Sequence, residues 1–247
     1  MIENKIEKIE LNKIYCGDCL KLMKQLPDNS VDLVLTDPPY GVTQNKEDIR
    51  VNLDELFRIG KSVIMTTQQP YTTEVISKYK KYFRYDLIWD KVLTSGFLNA
   101  NRLPLRKHEI ILVFNSPVYN PQFSEGIALH SKGSSYKEKE PKNLNYGKFK
   151  SIDDKRAGST KKYPTSILKF DKPHPSIARH RTEKPVALME YLIQTYSDEG
   201  DTILDPFLGS GTTAVACRNL HRNFIGIEIS EEYCKIARDR LRQQTLL

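Results

Sequence analysis

Asp37-Pro38-Pro39-Tyr40 is a stretch whose residue types and spacing are suited to chemistry. The apolar run Val31 to Leu35 leads into it and reads as a buried strand of a parallel sheet. Two successive prolines cannot donate to a sheet ladder and fix their own φ, so the chain must leave the sheet there in a rigid, extended turn. The C-terminal edge of a parallel sheet is where open α/β folds place ligands. One carboxylate, two immobile backbone carbonyls and one ring are thereby held together at a sheet edge. Such a set accepts hydrogen bonds from an amino group and stacks on a flat base.

A second stretch has the same logic. Thr202-Ile203-Leu204-Asp205 is a short apolar strand that runs through Pro206-Phe207-Leu208 into Gly209-Ser210-Gly211-Thr212-Thr213 and then a helix. The two glycines allow backbone to approach a ligand closely, and the helix start offers free N–H groups. The loop echoes the phosphate loop of a nucleotide hydrolase, but the lysine which that loop needs before its Ser/Thr is missing. The next strand, Asn223 to Glu228, ends in an acid, a position that binds ribose hydroxyls in dinucleotide folds.

Together these two stretches resemble the catalytic and cofactor motifs of S-adenosylmethionine-dependent DNA amino-methyltransferases. Their order, catalytic motif first and glycine motif near the C-terminus, is similar to the permuted beta group of that family. The resemblance covers nearly the whole chain except the segment from about Ser116 to His180. It implies an α/β, Rossmann-like fold with a mostly parallel seven-stranded sheet flanked by helices, a circularly permuted motif order and an inserted target-recognition segment. It implies a site-specific enzyme that moves a methyl group from S-adenosyl-L-methionine to the N6 amine of a flipped-out adenine in double-stranded DNA.

The same resemblance implies Asp37, Pro38, Pro39 and Tyr40 as catalytic residues. Its implied cofactor residues are Asp18, Asp37, Thr182, Lys184, Asp205, Phe207, Gly209, Ser210, Gly211, Thr212 and Glu228. In the family an acid at the position of Asp18 lies by the cofactor's adenine; by its place in the sequence Asp18 is equally a helix N-cap. Thr182-Glu183-Lys184-Pro185 is similar to a family segment beside the cofactor's amino-acid end. Thr182 is also suited to capping the helix that Pro185 opens. A lysine in a helix's first turn is electrostatically misplaced unless it faces an anion. Hydrogen bonds from the adenine amine to the Asp37 carboxylate and the Pro38 carbonyl favour a pyramidal, nucleophilic nitrogen, with Tyr40 stacked on the extruded base. No metal is called for. Aspartate first in the tetrapeptide resembles N6-adenine members, whereas N4-cytosine members more often carry serine; cytosine N4 and RNA are the alternative acceptors.

Composition agrees with a nucleic-acid partner. The 247 residues carry 38 Lys+Arg against 31 Asp+Glu, a formal net charge of +7. From Ser131 to Lys172 there are 12 Lys/Arg against 5 Asp/Glu, so this one stretch equals the net charge of the chain. Tyr136, Tyr146, Phe149, Tyr163 and Phe170 are interleaved with its lysines, a pattern suited to phosphate contact with stacking. A DNA-binding module without catalysis explains the basic stretch but leaves the two loops without a purpose. No apolar run approaches the ~18 residues of a membrane helix and no signal segment opens the chain, so the expectation is a cytoplasmic protein at the nucleoid. Beyond DNA, the family leads one to consider a homodimer and a cognate restriction endonuclease as partners. Cys16-Gly17-Asp18-Cys19 is formally a C-x-x-C, but no second pair completes a zinc site, and all four cysteines read as reduced and structural.

The elements that must hold these residues follow from apolar spacing. Strands are expected at Lys13–Cys16, Val31–Leu35, Ser62–Thr67, Tyr85–Lys91, Glu109–Phe114, Thr202–Asp205 and Asn223–Glu228. Helices are expected from Cys19 to Leu26, around Leu53–Phe57, and from Tyr71, Pro185, Thr212 and Glu231 onward. Residues 42–50 read as a polar loop over the site. Trp89, the only tryptophan, reads as core. Apolar periodicity stops at 115 and resumes near 181, which divides the chain into a catalytic and cofactor domain, 1–114 with 181–247, and a basic insertion, 115–180.

Overall fold

The computed structural model describes residues 9–41, 48–128, 159–174, 176, 179 and 183–243. The chain divides into two compact units, Met1–Asn120 with Ser166–Leu247, and Pro121–Thr165.

The larger unit is built on one sheet. Its strands are β1 (Lys13–Cys16), β2 (Val31–Thr36), β3 (Gly60–Thr67), β4 (Phe83–Ser95), β5 (Arg106–Phe114), β8 (Ile167–Lys169), β9 (Thr202–Asp205) and β10 (Asn223–Glu228). The smaller unit contributes β6 (Ser124–Glu125) and β7 (Lys161–Lys162), a separate antiparallel pair with the Phe123 and Tyr163 rings 4.8 Å apart beside it. In the main sheet the order is β1-β10-β9-β2-β3-β5-β4-β8. The pairings are parallel except β3 with β5 and β5 with β4.

Among the described residues, eight strands rather than the expected seven form this sheet. The additional one, β8, comes from the stretch read as irregular, and it forms the edge of the sheet by pairing with β4 through Ile88, Trp89 and Asp90. Three residues in a polar, lysine-rich context carry no alternation to read, and partner hydrogen bonds rather than local propensity make the strand.

Among the described residues, six helices cover both faces: α1 (Cys19–Met23), α2 (Asp54–Ile59), α3 (Tyr71–Lys78), α4 (Val186–Tyr196), α5 (Thr212–Asn219) and α6 (Glu231–Gln243). Alternation along the central strands sends Leu33, Leu35, Ile64, Ile111, Val113 and Ile203 to one core with α4, α5 and α6. Their neighbours Val34, Val63, Met65, Leu112, Phe114 and Leu204 pack with α1, α2 and α3. Burial on both sides is why these strands read as continuous apolar runs. Trp89 is 1% exposed, and its indole N–H donates to the Phe170 carbonyl at 2.9 Å. No helix among the described residues is long and apolar enough to cross a membrane.

Two features of this frame bear on the site. β2 and β9, which are remote in sequence, are hydrogen-bonded neighbours with Leu33 opposite Ile203 and Val34 opposite Leu204, so the Asp37 and Asp205 turns leave the sheet side by side. Gly211, at the start of α5, has φ 86°, and a Cβ there would lie 2.7 Å from the Ala237 Cβ of α6. Both the left-handed backbone and the close approach demand glycine. Gly211→Ala is therefore expected to cost about 1–3 kcal/mol of stability, read as a lower denaturant midpoint in equilibrium unfolding.

Candidate active site

Asp37 lies just past the end of β2, and donors from three elements converge on its carboxylate. Oδ1 accepts hydrogen bonds from the Tyr40 hydroxyl and from the Thr66 hydroxyl of β3, while Oδ2 receives the Lys184 ammonium. The Tyr40 and Thr66 oxygens are themselves 3.1 Å apart. Lys184, which precedes α4, is 7% exposed and reaches Glu109 of β5 at 3.3 Å; Glu109 in turn lies 3.3 Å from Lys91 of β4. Asp37, Lys184, Glu109 and Lys91 thus form a chain of alternating charge.

Alternation explains how two buried ammoniums are tolerated. Burial pulls the Lys184 ammonium down, but the Asp37 and Glu109 carboxylates outweigh it and hold it above the ordinary lysine value. Lys91 has one carboxylate neighbour; there burial prevails over Glu109 and its pKa lies below the ordinary value. Burial first, then the Asp37 and Glu109 charges, push the Tyr40 hydroxyl well above its ordinary range, so it remains a donor.

The glycine stretch is joined to this centre by Asp205. Its carboxylate accepts from Thr36 Oγ1 at 2.7 Å, from Thr213 Oγ1 at 2.6 Å and from the Phe207 N–H at 3.1 Å. One side chain therefore fixes the end of β2, the turn after β9 and the first turn of α5. At the end of β10, Glu228 accepts the Gly209 N–H at 2.7 Å and the Ser230 N–H at 2.8 Å. Asp18 follows β1, whose Cys16 is in register with Glu228, and its carboxylate accepts the Leu20 N–H at 2.9 Å as the N-cap of α1. Ser210 and Thr212 meet Arg240 of α6, whose guanidinium lies 3.0 Å from Thr212 Oγ1 and 2.9 Å from Glu183.

Of the described residues named from the sequence, all but Lys184, which reaches Asp37 from the approach to α4, lie at the C-terminal ends of β1, β10, β9 and β2 or in or just after the turns that follow them. Pro38 is buried and Pro39, Tyr40 and Phe207 are half-buried along that edge. Lys184 has protein carboxylates as its partners, Asp37 and Glu109. Thr182 lies outside the described residues, as do 42–47 of the polar loop and 129–158 of the basic stretch.

Several contributors were missed by the sequence reading. Thr66 and Glu109 sit in strands where a single polar residue reads as an ordinary outward position. Arg240 occupies an inward position of α6 where the period calls for an apolar side chain, and that misplacement is a signal open to reading. Arg50 donates to the Tyr40 carbonyl at 2.8 Å, pairs with Glu74 at 2.5 Å and covers the Tyr71 ring, while Asp48 accepts the Gly41 N–H at 2.7 Å. The Tyr40 and Tyr71 rings are 5.7 Å apart.

The family model described as DNA methylase matches residues 31–239, which is most of the chain. The chain is 28% identical to the type II methyltransferase M.HpaI of Haemophilus parainfluenzae, over 93% of this chain and 74% of that protein. It is 28% identical to the DNA adenine methyltransferase YhdJ of Escherichia coli, over 94% of this chain and 83% of that one. Among solved structures, the M1.HpyAVI–SAM complex superposes with a TM-score of 0.62 at 24% identity, covering 93% of this chain and 98% of that chain.

Burial raises the Asp205 carboxyl to about 6 against the hydrogen bonds from Thr213, Thr36 and Phe207, which lower it. A folded value above the unfolded one means that the contribution to stability is fully present below about pH 4 and is lost as pH rises through about 6. Asp205→Asn removes the titration while keeping the shape. Relative to that variant, the wild type is expected to lose on the order of 3 kcal/mol between pH 4 and pH 7 in denaturant unfolding. Parallel stability curves over that range would refute this assignment.

Proposed function

This chain belongs to the DNA methylase family matched over residues 31–239, and from that membership we propose a methyl transfer from S-adenosyl-L-methionine to the N6 amine of an adenine extruded from double-stranded DNA. The observation that carries the proposal is the convergence of Tyr40, Thr66 and Lys184 on Asp37 at the sheet edge beside the glycine turn. Adenine follows from the aspartate that opens the tetrapeptide and from relatives named as adenine methyltransferases.

The cofactor's fit is supported by the donor set. Glu228 and Asp18 place two carboxylates at neighbouring strand ends, suited to ribose hydroxyls and to an adenine. Gly209 and Gly211, with φ 55° and 86°, bring bare backbone to the same edge, with Phe207, Ser210 and Thr212 around it. Lys184, Thr182 and Asp205 complete the proposed cofactor set. When bound, the cofactor supplies an electrophilic methyl group on sulfur.

The chain's own residues do the positioning. A carboxylate has about four lone-pair sites, and three donors already converge on Asp37, so one site remains for a hydrogen of the target amine. The Pro38 carbonyl takes the second hydrogen, and Pro39 keeps the turn rigid. Both bonds draw the nitrogen toward a pyramidal form whose lone pair is free to attack. Tyr40 stacks on the base. After transfer the methylated ammonium is acidic enough to lose its proton to Asp37 without a strong base.

Residues 115–180 are proposed to read the target sequence, with their lysines on phosphates. A cognate restriction endonuclease, as the type II relatives suggest, and a second copy of the chain complete the proposed partners. A DNA substrate puts the work at the nucleoid, in the cytoplasm.

Labelled S-adenosylmethionine, unmethylated genomic DNA and nucleoside analysis test the reading. N6-methyladenine is expected. N4-methylcytosine would keep the chemistry and overturn the base, and unlabelled DNA would overturn the function. Asp37→Ala is expected to lower transfer at least 100-fold while cofactor affinity stays within about threefold, because its carboxylate oxygens accept from the target amine rather than from the cofactor.

A further inference from the structure

The tip of the β4–β5 hairpin has a role that the catalytic edge does not use up. β3 is antiparallel to β5 and β5 to β4, so β4 ends at Ser95 on the same sheet edge as Asp37. At the foot of this hairpin, Arg106, His108 and Glu109 line one cleft with Thr67 and Gln69 of the β3 turn. Glu109 is the residue that pairs with Lys184, so the hairpin rises from the rim of the candidate active site.

The tip's backbone is hydrogen-bonded to itself. Gly96, at φ 89°, turns the chain into a single 3-10 turn over Phe97–Asn99. The Asn99 N–H donates to the Gly96 carbonyl at 2.9 Å, and the Asn99 carbonyl accepts from Arg102 and Leu103 at 2.9 and 3.1 Å. Its apolar side chains nevertheless face water: Phe97 is 80% exposed and Leu98 100%, with Leu93 and Leu103 about half exposed beside them. A hydrogen-bonded turn that holds out a phenylalanine and a leucine is suited to bury them against something else.

Charge and place identify the occupant. From Lys91 to Lys107 the sequence has four basic residues and no acidic one. Arg102 and Arg106 stand exposed on the return from the tip, Arg106 opposite Ser95 at the foot of the hairpin. Such a surface repels a second copy of itself and suits the phosphates of a duplex. Extrusion of a base leaves a gap between two flat apolar faces, and phenylalanine and leucine are residue types that proteins insert between base steps.

We infer that Phe97 and Leu98 form a wedge that enters the base stack of duplex DNA and fills the gap left by the extruded base, with Arg102 and Arg106 on the flanking phosphates. The inference rests on the methyl-transfer reading above.

The test uses the full chain and the double variant F97A/L98A on a duplex bearing the site at which the wild type methylates DNA. Methylation of the matched duplex by the wild type is read first; its absence would overturn the methyl-transfer reading and the wedge with it. With that activity in hand, the variant is expected to keep the wild-type unfolding midpoint and cofactor affinity. It is expected to methylate the matched duplex about tenfold or more slowly, and to lose the fluorescence rise of 2-aminopurine at the target position. A duplex with an abasic nucleotide opposite the target, where extrusion is easy, is expected to restore its rate to within about threefold of the wild type. Wild-type rates on the matched duplex, an equal loss on both duplexes, or a change of oligomeric state in sedimentation would each overturn the wedge.

Discussion

A carboxylate at the end of a buried strand needs partners, and those of Asp37 organise the centre of the molecule. Tyr40 and Thr66 satisfy one oxygen and Lys184 the other. Lys184 is itself buried and requires a further anion, Glu109, which in turn compensates the buried Lys91. Each charge is tolerated because the next one is present, and removal of one member leaves a buried ion uncompensated. The four residues come from the end of β2, the approach to α4, β5 and β4. Their chain therefore ties the parallel half of the sheet to its antiparallel half. Electrostatics here fixes the geometry of an edge that hydrophobic packing alone leaves loose, since apolar contacts specify burial but not the direction of a polar group.

Asp205 does the same for the two motifs. They are far apart in sequence, yet β2 and β9 are adjacent strands, and a single carboxylate accepts from Thr36 on one side and Thr213 on the other. Adjacency in the sheet, rather than order along the chain, is what the chemistry requires. A permuted order of motifs thus costs the site nothing, provided that both strands end on one edge. Asp205 has its carboxyl raised to about 6 by burial, the cost of placing a junction carboxylate out of water.

Much of this was legible in the sequence. Leu33–Leu35, Ile203–Leu204 and Phe224–Ile227 carry no charge because both sheet faces are covered, and each is followed within two residues by an acid. The helix from Glu231 to Gln243 carries its period openly. What escaped is of one kind. β8 is three residues long and exists through its pairing with β4. Thr66, Glu109 and Arg50 owe their importance to partners far away in the sequence, and nothing in their local pattern separates them from solvated residues. The expected helix from Cys19 to Leu26 ends at Met23, with Lys24 as its C-cap and single turns closing at Gln25 and Leu26. Periodicity shows which face is buried, but it does not show which polar groups meet across a sheet.

The arrangement also constrains what Asp37 is able to do. Lys184 is more than a neighbour, because it donates to Asp37 Oδ2 and is held on its other side by Glu109. An amine that arrives at Asp37 must accommodate that ammonium, and an ammonium held by a second carboxylate has somewhere to lean. Tyr40, kept protonated by its surroundings, presents no charge to the incoming group. The centre is therefore arranged to hold a neutral amine by directed acceptors and fixed dipoles. It is poorly arranged to remove a proton beforehand. Transfer to a nitrogen that sheds its proton only after it has gained a methyl group is the chemistry that such a centre serves.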